Sequence, residues 1–113
     1  MKKKVFYDSE NDILTIHKGF SSDEKFKGNL DVGDLILDIS TAGRIKGIEI
    51  MEASKFFKEE FSIEKEKLEN IEDADFRAVI KPNSIFIGIL FKSKNKEIIP
   101  AKIAVPLQIP LKH

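Results

Sequence analysis

The chain has 113 residues, of which 42% are hydrophobic, and this length fits one domain with one modest core. Its 19 basic residues balance its 19 acidic residues, so the net charge creates no long-range field that would attract nucleic acid or an anionic membrane. The absence of cysteine excludes disulfides, thiolate metal sites and cysteine nucleophiles.

The sequence shows no segment that would direct it to a membrane. No apolar run approaches the roughly 18 residues that a membrane-spanning helix needs. The basic residues 2–4 are followed by Val5-Phe6-Tyr7-Asp8 and not by the apolar core of a signal peptide. We therefore expect a cytoplasmic protein with a short solvated basic start. The abundance of Lys, Glu and Ile is typical of thermophiles, although an AT-rich genome would also raise Lys and Ile.

The first half of the sequence predicts an antiparallel meander of about four strands. Two β-branched and aromatic runs, 5–7 and 13–16, are separated by the turn-forming residues 8–12 and predict a hairpin with Leu14 and Ile16 in the core. Residues 18–28 are rich in Gly, Ser and charge, and predict a long, exposed and mobile loop, which Phe20 and Phe26 pin to the body.

A second hairpin follows at 35–50. The run 35–39 alternates with period two, and the turn at 40–43 ends on Gly43, the natural position for a positive φ. On the return strand, Ile45 has the opposite parity from Ile48 and Ile50. A β-bulge at Gly47 would insert one extra residue and restore a single apolar face.

The second half of the sequence predicts two short helices and three more antiparallel strands. Apolar residues at helical spacing, Ala53, Phe56, Phe57 and Phe61, predict a helix that begins near Glu52. Ser62 is an acceptable N-cap for a second helix that ends at Asn70. Turn residues at 82–84 and 94–96 separate the three strands, and the prolines of the last strand, Pro100 and Pro106, place it at a sheet edge.

The strand at 85–91 is apolar on both faces, which is typical of a strand covered on both sides. Two short helices can cover one face of the predicted seven-stranded sheet. A second copy of the chain is the simplest cover for the other face, so we expect a homodimer.

One acidic segment has a spacing that could serve a metal ion. Asp8, Glu10 and Asp12 alternate as in oxygen-ligand loops, but the Gly and the distal bidentate Glu of a calcium loop are missing. The favoured interpretation is turn chemistry, in which Asp and Asn side chains bond to their own backbone. The alternative is a metal-assisted hydrolase that uses these three carboxylates.

The other chemical candidates have simpler structural explanations. His17 has no nearby partner at ligand spacing, and His113 is terminal, so neither predicts a catalytic or metal site. Glu49 and Glu52 could form a carboxylate pair for acid–base chemistry. However, Glu49 fits an outward-facing strand position, and Glu52 fits the start of a helix, where the helix dipole favours an acidic residue. No Gly-rich phosphate loop is present. We therefore predict no catalytic residues and no cofactor.

Two groups of lysines could form a local basic patch. These groups are residues 2–4 and the set Lys92, Lys94 and Lys96. The chain carries no aromatic and basic interleaving of the kind that single-stranded nucleic acid stacks upon. We therefore regard nucleic acid as an unfavoured partner.

Two blocks resemble a known family. The opening Tyr7-Asp8-Ser9-Glu10-Asn11-Asp12-Ile13-Leu14-Thr15-Ile16 is similar to the Y-D-x-E-x-D-x-L-x-I of domain-of-unknown-function family 2283. The stretch 35–54, with Gly43, Gly47 and Ala53-Ser54, resembles its second block. Thr15 departs from the aromatic residue that many members carry. The resemblance covers residues 5–54. It implies no established activity and no site residues. Some members resemble small proteins that are encoded beside toxin-like partners, which implies an antitoxin-like or accessory role.

The combined prediction is a single α+β domain over 1–113, with a meander at 5–54, a helical connection at 55–72 and a three-strand extension at 73–109. The predicted function is a non-catalytic binding or interaction module that forms a homodimer and has a protein partner. We expect no membrane association.

Overall fold

The computed structural model describes residues 4–107. The chain forms an α+β fold with antiparallel strands, as predicted. Its elements, in chain order, are β1 Val5–Asp8, β2 Ile13–His17, β3 Phe26–Val32, β4 Leu35–Ser40, β5 Ile45–Ile50, α1 Ala53–Phe61, α2 Lys65–Glu69, β6 Ile71–Ile80, β7 Ser84–Ser93 and β8 Ile98–Pro106.

The strands form two sheets, whereas the sequence predicted one sheet of seven strands. The first sheet has the order β1-β2-β5-β4-β3, and the second has the order β6-β7-β8. Strand β3 adds a fifth strand to the predicted four and begins inside the segment predicted as a loop. As an edge strand it is mostly exposed, so its sequence lacks the alternation of apolar and polar residues that marks a half-buried strand.

The predicted bulge is present in β5. Asp38 pairs with Gly47 and Ile39 pairs with Ile45, which leaves Lys46 as the extra residue. The shift brings Ile45, Ile48 and Ile50 to one buried face. The predicted hairpin turn is also confirmed, because Gly43 has a φ of 77°.

The two helices follow the strands of the first sheet. Helix α1 begins at Ala53 as predicted and buries Ala53 and Phe57. Ser62, predicted as the N-cap of the second helix, instead closes α1 in a left-handed conformation and donates its backbone N–H to Lys58. The N-cap of α2 is Glu64, and Asn70 ends the helix as predicted.

The second sheet places alternate residues on its two faces. Along β7, the inner residues Ile85, Ile87, Ile89 and Phe91 are buried, whereas the intervening residues are exposed. Strand β8 lies at the edge of the sheet, as its prolines predicted. The inner faces of both sheets and α1 form one continuous buried cluster, in which the ring centroid of Phe57 lies 5.5 Å from that of Phe91.

Candidate functional site

The acidic turn between β1 and β2 uses its first carboxylate to hold its own backbone. Asp8 accepts hydrogen bonds from the backbone N–H groups of Glu10 and Asn11, both at 3.1 Å, and from the side-chain amide of Asn11 at 2.8 Å. These bonds, led by the one from the Asn11 side chain, hold the pKa of Asp8 below its usual value. The predicted turn chemistry therefore accounts for Asp8.

Asp12 links this turn to helix α1. Its carboxylate accepts bonds from the hydroxyl of Tyr7 at 2.5 Å, the hydroxyl of Ser54 at 2.7 Å and the backbone N–H of Ser54 at 2.9 Å. Its carbonyl oxygen also accepts the backbone N–H of Ala53 at 2.9 Å. Glu52, at the N-cap position, makes no side-chain cap, so Asp12 satisfies the helix start from another part of the chain.

The bonds around Asp12 shift two pKa values. Partial burial favours the neutral carboxyl, but the bonds from Tyr7 and Ser54 outweigh it and leave the pKa of Asp12 below its usual value. Burial, reinforced by the bond to Asp12, raises the pKa of Tyr7 well above its usual value. Tyr7 therefore stays protonated and donates to an ionised Asp12 at neutral pH.

The three carboxylates of the metal-assisted alternative do not converge on one point. Asp8 and Asp12 bond to different donors within the chain, and Glu10 is exposed. Within residues 4–107, no group of three or more His, Asp or Glu side chains is arranged to hold a metal ion. No contact in the structure therefore favours hydrolase chemistry at this turn.

His17 lies in a polar row that the sequence did not reveal. His17, Gly47, Asp38 and Asn29 occupy paired positions on β2, β5, β4 and β3. The Nδ1 atom of His17 accepts the backbone N–H of Gly19 at 2.8 Å, and its Nε2 atom lies 3.9 Å from the carboxylate of Asp38. Both ring nitrogens thus face groups of the chain itself, which is a structural role.

Gly47 makes room for this row. A Cβ atom at Gly47 would lie 2.6 Å from Oδ2 of Asp38 and 2.7 Å from Cδ2 of His17. The side-chain amide of Asn29 donates to the other oxygen of Asp38 at 2.5 Å. The bulge and the close approach of two side chains together explain the glycine, without a ligand.

A buried carboxylate fixes the segment predicted as an exposed, mobile loop. The side chain of Glu24 is fully buried and lies 3.0 Å from the ammonium of Lys46, the extra residue of the bulge. Glu24 also accepts bonds from the hydroxyl of Ser40 at 2.7 Å and the backbone N–H of Ser21 at 3.2 Å. These contacts, led by the bond from Ser40, lower the pKa of Glu24 to about 2.

The prediction of an exposed loop was therefore wrong at Glu24. A charged residue in a polar segment is usually solvated, but the carboxylate of Glu24 is buried and pairs with the partly buried ammonium of Lys46. Phe20 and Phe26, predicted as the pins of this loop, stack edge-on at 6.4 Å but remain exposed. Phe20 also contacts the first sheet, because its ring stacks edge-on against His17 of β2 with the ring centroids 5.4 Å apart. Glu24 and Phe20 therefore both attach the loop to the body of the protein.

The remaining candidates do not form a common site. Glu49 lies on the outward face of β5, and Glu52 is exposed before α1. Lys96 pairs with Glu72 at 3.4 Å, and Lys92 lies opposite Asp73. Residues 2 and 3 of the basic start and His113 lie outside the described residues.

The second sheet exposes apolar side chains on the face that points away from the core, here called the outer face. Phe86 is 47% exposed and Leu90 is 56% exposed, and Val79 and Ile98 flank them. Between Phe86 and Leu90 lies Gly88, whose cross-strand partners are Arg77 and Lys102. A cavity of about 250 Å³ opens over this glycine.

None of the helices within residues 4–107 combines the length and the apolarity that a membrane crossing requires.

Comparison with known proteins confirms the resemblance of the N-terminal segment. Residues 4–54 match the family described as "Protein of unknown function (DUF2283)". An uncharacterized protein of Methanocaldococcus jannaschii is 44% identical over 57 residues, which are 50% of this chain and 47% of that protein. A Methanosarcina mazei protein with the provisional name hypoxanthine phosphoribosyltransferase is 33% identical over 82 residues, which are 73% of this chain and 61% of that protein.

The chain therefore spans about half to three-fifths of the length of these curated relatives. No solved structure matches it significantly.

Proposed function

Because residues 4–54 belong to a family that is described only as of unknown function, we propose a function from the surface of the chain. We propose that the protein is a non-catalytic interaction module and that a second copy of the chain covers the outer face of its second sheet. The exposure of Phe86 and Leu90 at the centre of that face carries this proposal.

The outer face is suited to a protein partner because exposed apolar side chains lie at its centre and charged side chains lie beside them. Val79, Phe86 and Ala104 form one cross-strand row, and in another row Leu90 lies between Asp75 and Pro100. The strands have nine or ten residues each. Three such strands span roughly 30 by 14 Å, a projected area of roughly 400 Å². This is about half of the roughly 800 Å² per partner of a standard interface, so the outer face would form the centre of the dimer contact.

No contact within residues 4–107 explains why position 88 is a glycine. A Cβ atom there would meet no other atom within 4 Å, and its φ is not in the left-handed region. Glycine in a strand interior weakens the strand and often marks a place where another backbone approaches closely. The cavity over Gly88 would therefore allow the sheet of a second copy to pack closely at this point.

The charges on the outer face favour one orientation of the second copy. If the strands of the two sheets were aligned and the two-fold axis ran along β7, Arg77 of one copy would face Lys102 of the other, and the two cations would repel. If the strands of the two sheets instead crossed at about 90° over Gly88, the cross-strand row of Arg77 and Lys102 in one copy would run along β7 of the other copy. The two cations then lie over Phe86 and Leu90, where apolar stems and cation–π contact are favourable.

An accessory or antitoxin-like role in the cytoplasm, which the family resemblance implies, is part of the same proposal. A protein of this kind acts by binding another protein, and dimerisation presents two copies of the first sheet to such a partner. The provisional name of the M. mazei relative assigns an enzymatic activity to that protein. The present proposal does not depend on that activity.

Light scattering after size-exclusion chromatography tests the proposal. We expect the wild-type chain to have twice its monomer mass of 12.9 kDa. Leu90→Glu should convert it to a monomer, because the substitution buries an unpaired charge in the interface. The matched control is Phe6→Glu, which alters an exposed aromatic side chain on the first sheet and should leave the dimer intact.

A wild-type monomer at high concentration would overturn the homodimer. Loss of the dimer in Phe6→Glu but not in Leu90→Glu would place the interface on the first sheet and contradict the proposed surface.

A further inference from the structure

We propose that the cleft beside the β4–β5 turn, here called the basic cleft, binds a small phosphate monoester with an apolar body. This inference is independent of the dimer, because the cleft lies away from the outer face. Its volume is about 440 Å³, and its walls include Lys18, Arg44 and Lys46. Small-molecule sites in proteins have volumes of about 300–1,000 Å³.

The charge of the basic cleft is positive and only partly compensated. Among residues 4–107, those that line the cleft include no acidic residue. Lys46 is neutralised by the buried Glu24. No salt bridge among residues 4–107 involves Lys18 or Arg44. The hydrogen bond from the hydroxyl of Ser21 and, to a smaller extent, the charge of Arg44 lower the pKa of the Asp23 carboxyl, so this acidic side chain competes for the Arg44 cation.

The backbone around the basic cleft is held in place without a ligand. The backbone N–H of Lys18 donates to the carbonyl of Lys46 at 2.8 Å, which joins the end of β2 to the bulge of β5. The ammonium of Lys18 lies 4.7 Å from the centroid of the Phe76 ring. This arrangement directs one cation between the two sheets, and fixed cations lose little freedom on binding an anion.

The opposite wall of the basic cleft is apolar. Ala78 and Ile80 of β6 line it, and Ile80 is 52% exposed. A bare anion would leave this wall in contact with water. A ligand with a phosphate group at Arg44 and Lys18 and an apolar ring or chain against Ile80 would satisfy both walls, since a guanidinium matches the geometry of phosphate.

Titration of the ¹⁵N-labelled full chain with phenyl phosphate, followed by amide chemical shifts, tests this proposal. We expect saturable shifts at Gly43, Arg44, Lys46 and Ala78. Inorganic phosphate and phenol, each alone, should bind at least fivefold more weakly. Arg44→Ala and Lys18→Ala should each weaken the binding of phenyl phosphate at least fivefold. The matched control is Lys27→Ala, which removes an exposed cation on β3 and should leave the affinity unchanged.

Three results would overturn the proposal. These are the absence of saturable shifts at millimolar phenyl phosphate, equal binding of inorganic phosphate, and unchanged affinity in Arg44→Ala and Lys18→Ala. Both side chains are exposed, so well-dispersed spectra of the variants will show that they remain folded.

Discussion

The hydroxyl of Ser54 donates a hydrogen bond of 2.7 Å to the carboxylate of Asp12, which lies 42 residues earlier in the chain. This contact ties the first hairpin to the start of helix α1. The residues at its two ends belong to the two blocks that resemble the family, and Tyr7, from the first block, bonds to the same carboxylate. In this chain, these motif residues hold the first hairpin against the start of helix α1.

We predict that Asp12→Ala destabilises the protein by about 1–2 kcal/mol, because the helix start loses its cap. Urea unfolding followed by circular dichroism measures this change. Glu10→Ala is the matched control in the same turn, and it should change the free energy of unfolding by less than about 0.5 kcal/mol. Equal effects of the two substitutions would show that Asp12 does not cap α1.

We predict that acid destabilises the protein through Glu24. The pKa of Glu24 is about 2 in the folded protein, below its ordinary value of 4.5. Between these values the unfolded chain binds more protons than the folded chain, so stability falls as the pH falls through this window. Thermal melts of wild type and Glu24→Gln from pH 6 to pH 2 measure the effect.

Glu24→Gln should have a lower melting temperature at pH 6 and a smaller loss on acidification, because its amide does not titrate. The same loss in both proteins would mean that Glu24 does not contribute to the acid sensitivity. Asp12 adds to the loss in the wild type and in the variant, since its pKa is also lowered by folding.

We predict that Gly47→Ala destabilises the protein by about 1–3 kcal/mol, because the new methyl group must displace Asp38 and His17. Gly28→Ala on β3 is the matched control, since a Cβ atom there meets nothing within 4 Å and Gly28 lies outside the proposed dimer face. That substitution should be neutral or should stabilise the protein by about 0.5–1 kcal/mol through reduced freedom of the unfolded chain. The free energies come from urea unfolding, and the reverse order of effects would contradict the packing around Gly47.

We predict that millimolar Mg²⁺, Mn²⁺ or Ca²⁺ leaves the melting temperature unchanged, because the carboxylates of Asp8 and Asp12 already bond to donors of the chain itself. A ligand that binds only the native state raises the melting temperature by mass action. A rise of several degrees that disappears in Asp8→Asn would revive the metal-assisted alternative.

The sequence predicted features that depend on neighbours along the chain. The parity change between Ile45 and Ile48 located the bulge of β5, and the helical spacing of Ala53 and Phe57 located α1. The two apolar faces of β7 predicted a cover on both sides; the inner face lies in the core, whereas Phe86 and Leu90 on the other face are exposed in the single chain. Each of these signals is a local pattern that burial imposes on one segment.

Long-range pairing could not be predicted in the same way. Nothing within residues 18–28 shows that Glu24 meets Lys46, because the partner depends on how two distant turns pack. Strand β3 escaped prediction because an edge strand with both faces exposed carries no periodic apolar signal. The row of His17 and Asp38 could not be predicted without the strand order, in which β2 pairs with β5 and not with β3, the strand that follows it in sequence.

The most direct test of the central claim is an isotope-filtered nuclear Overhauser experiment on a mixture of labelled and unlabelled chains. We predict intermolecular contacts from the methyl groups of Leu90 and the ring of Phe86 to Arg77 and Lys102 of the other copy. The absence of intermolecular contacts, or contacts that instead involve Phe6 on the first sheet, would contradict a dimer formed through the outer face of the second sheet.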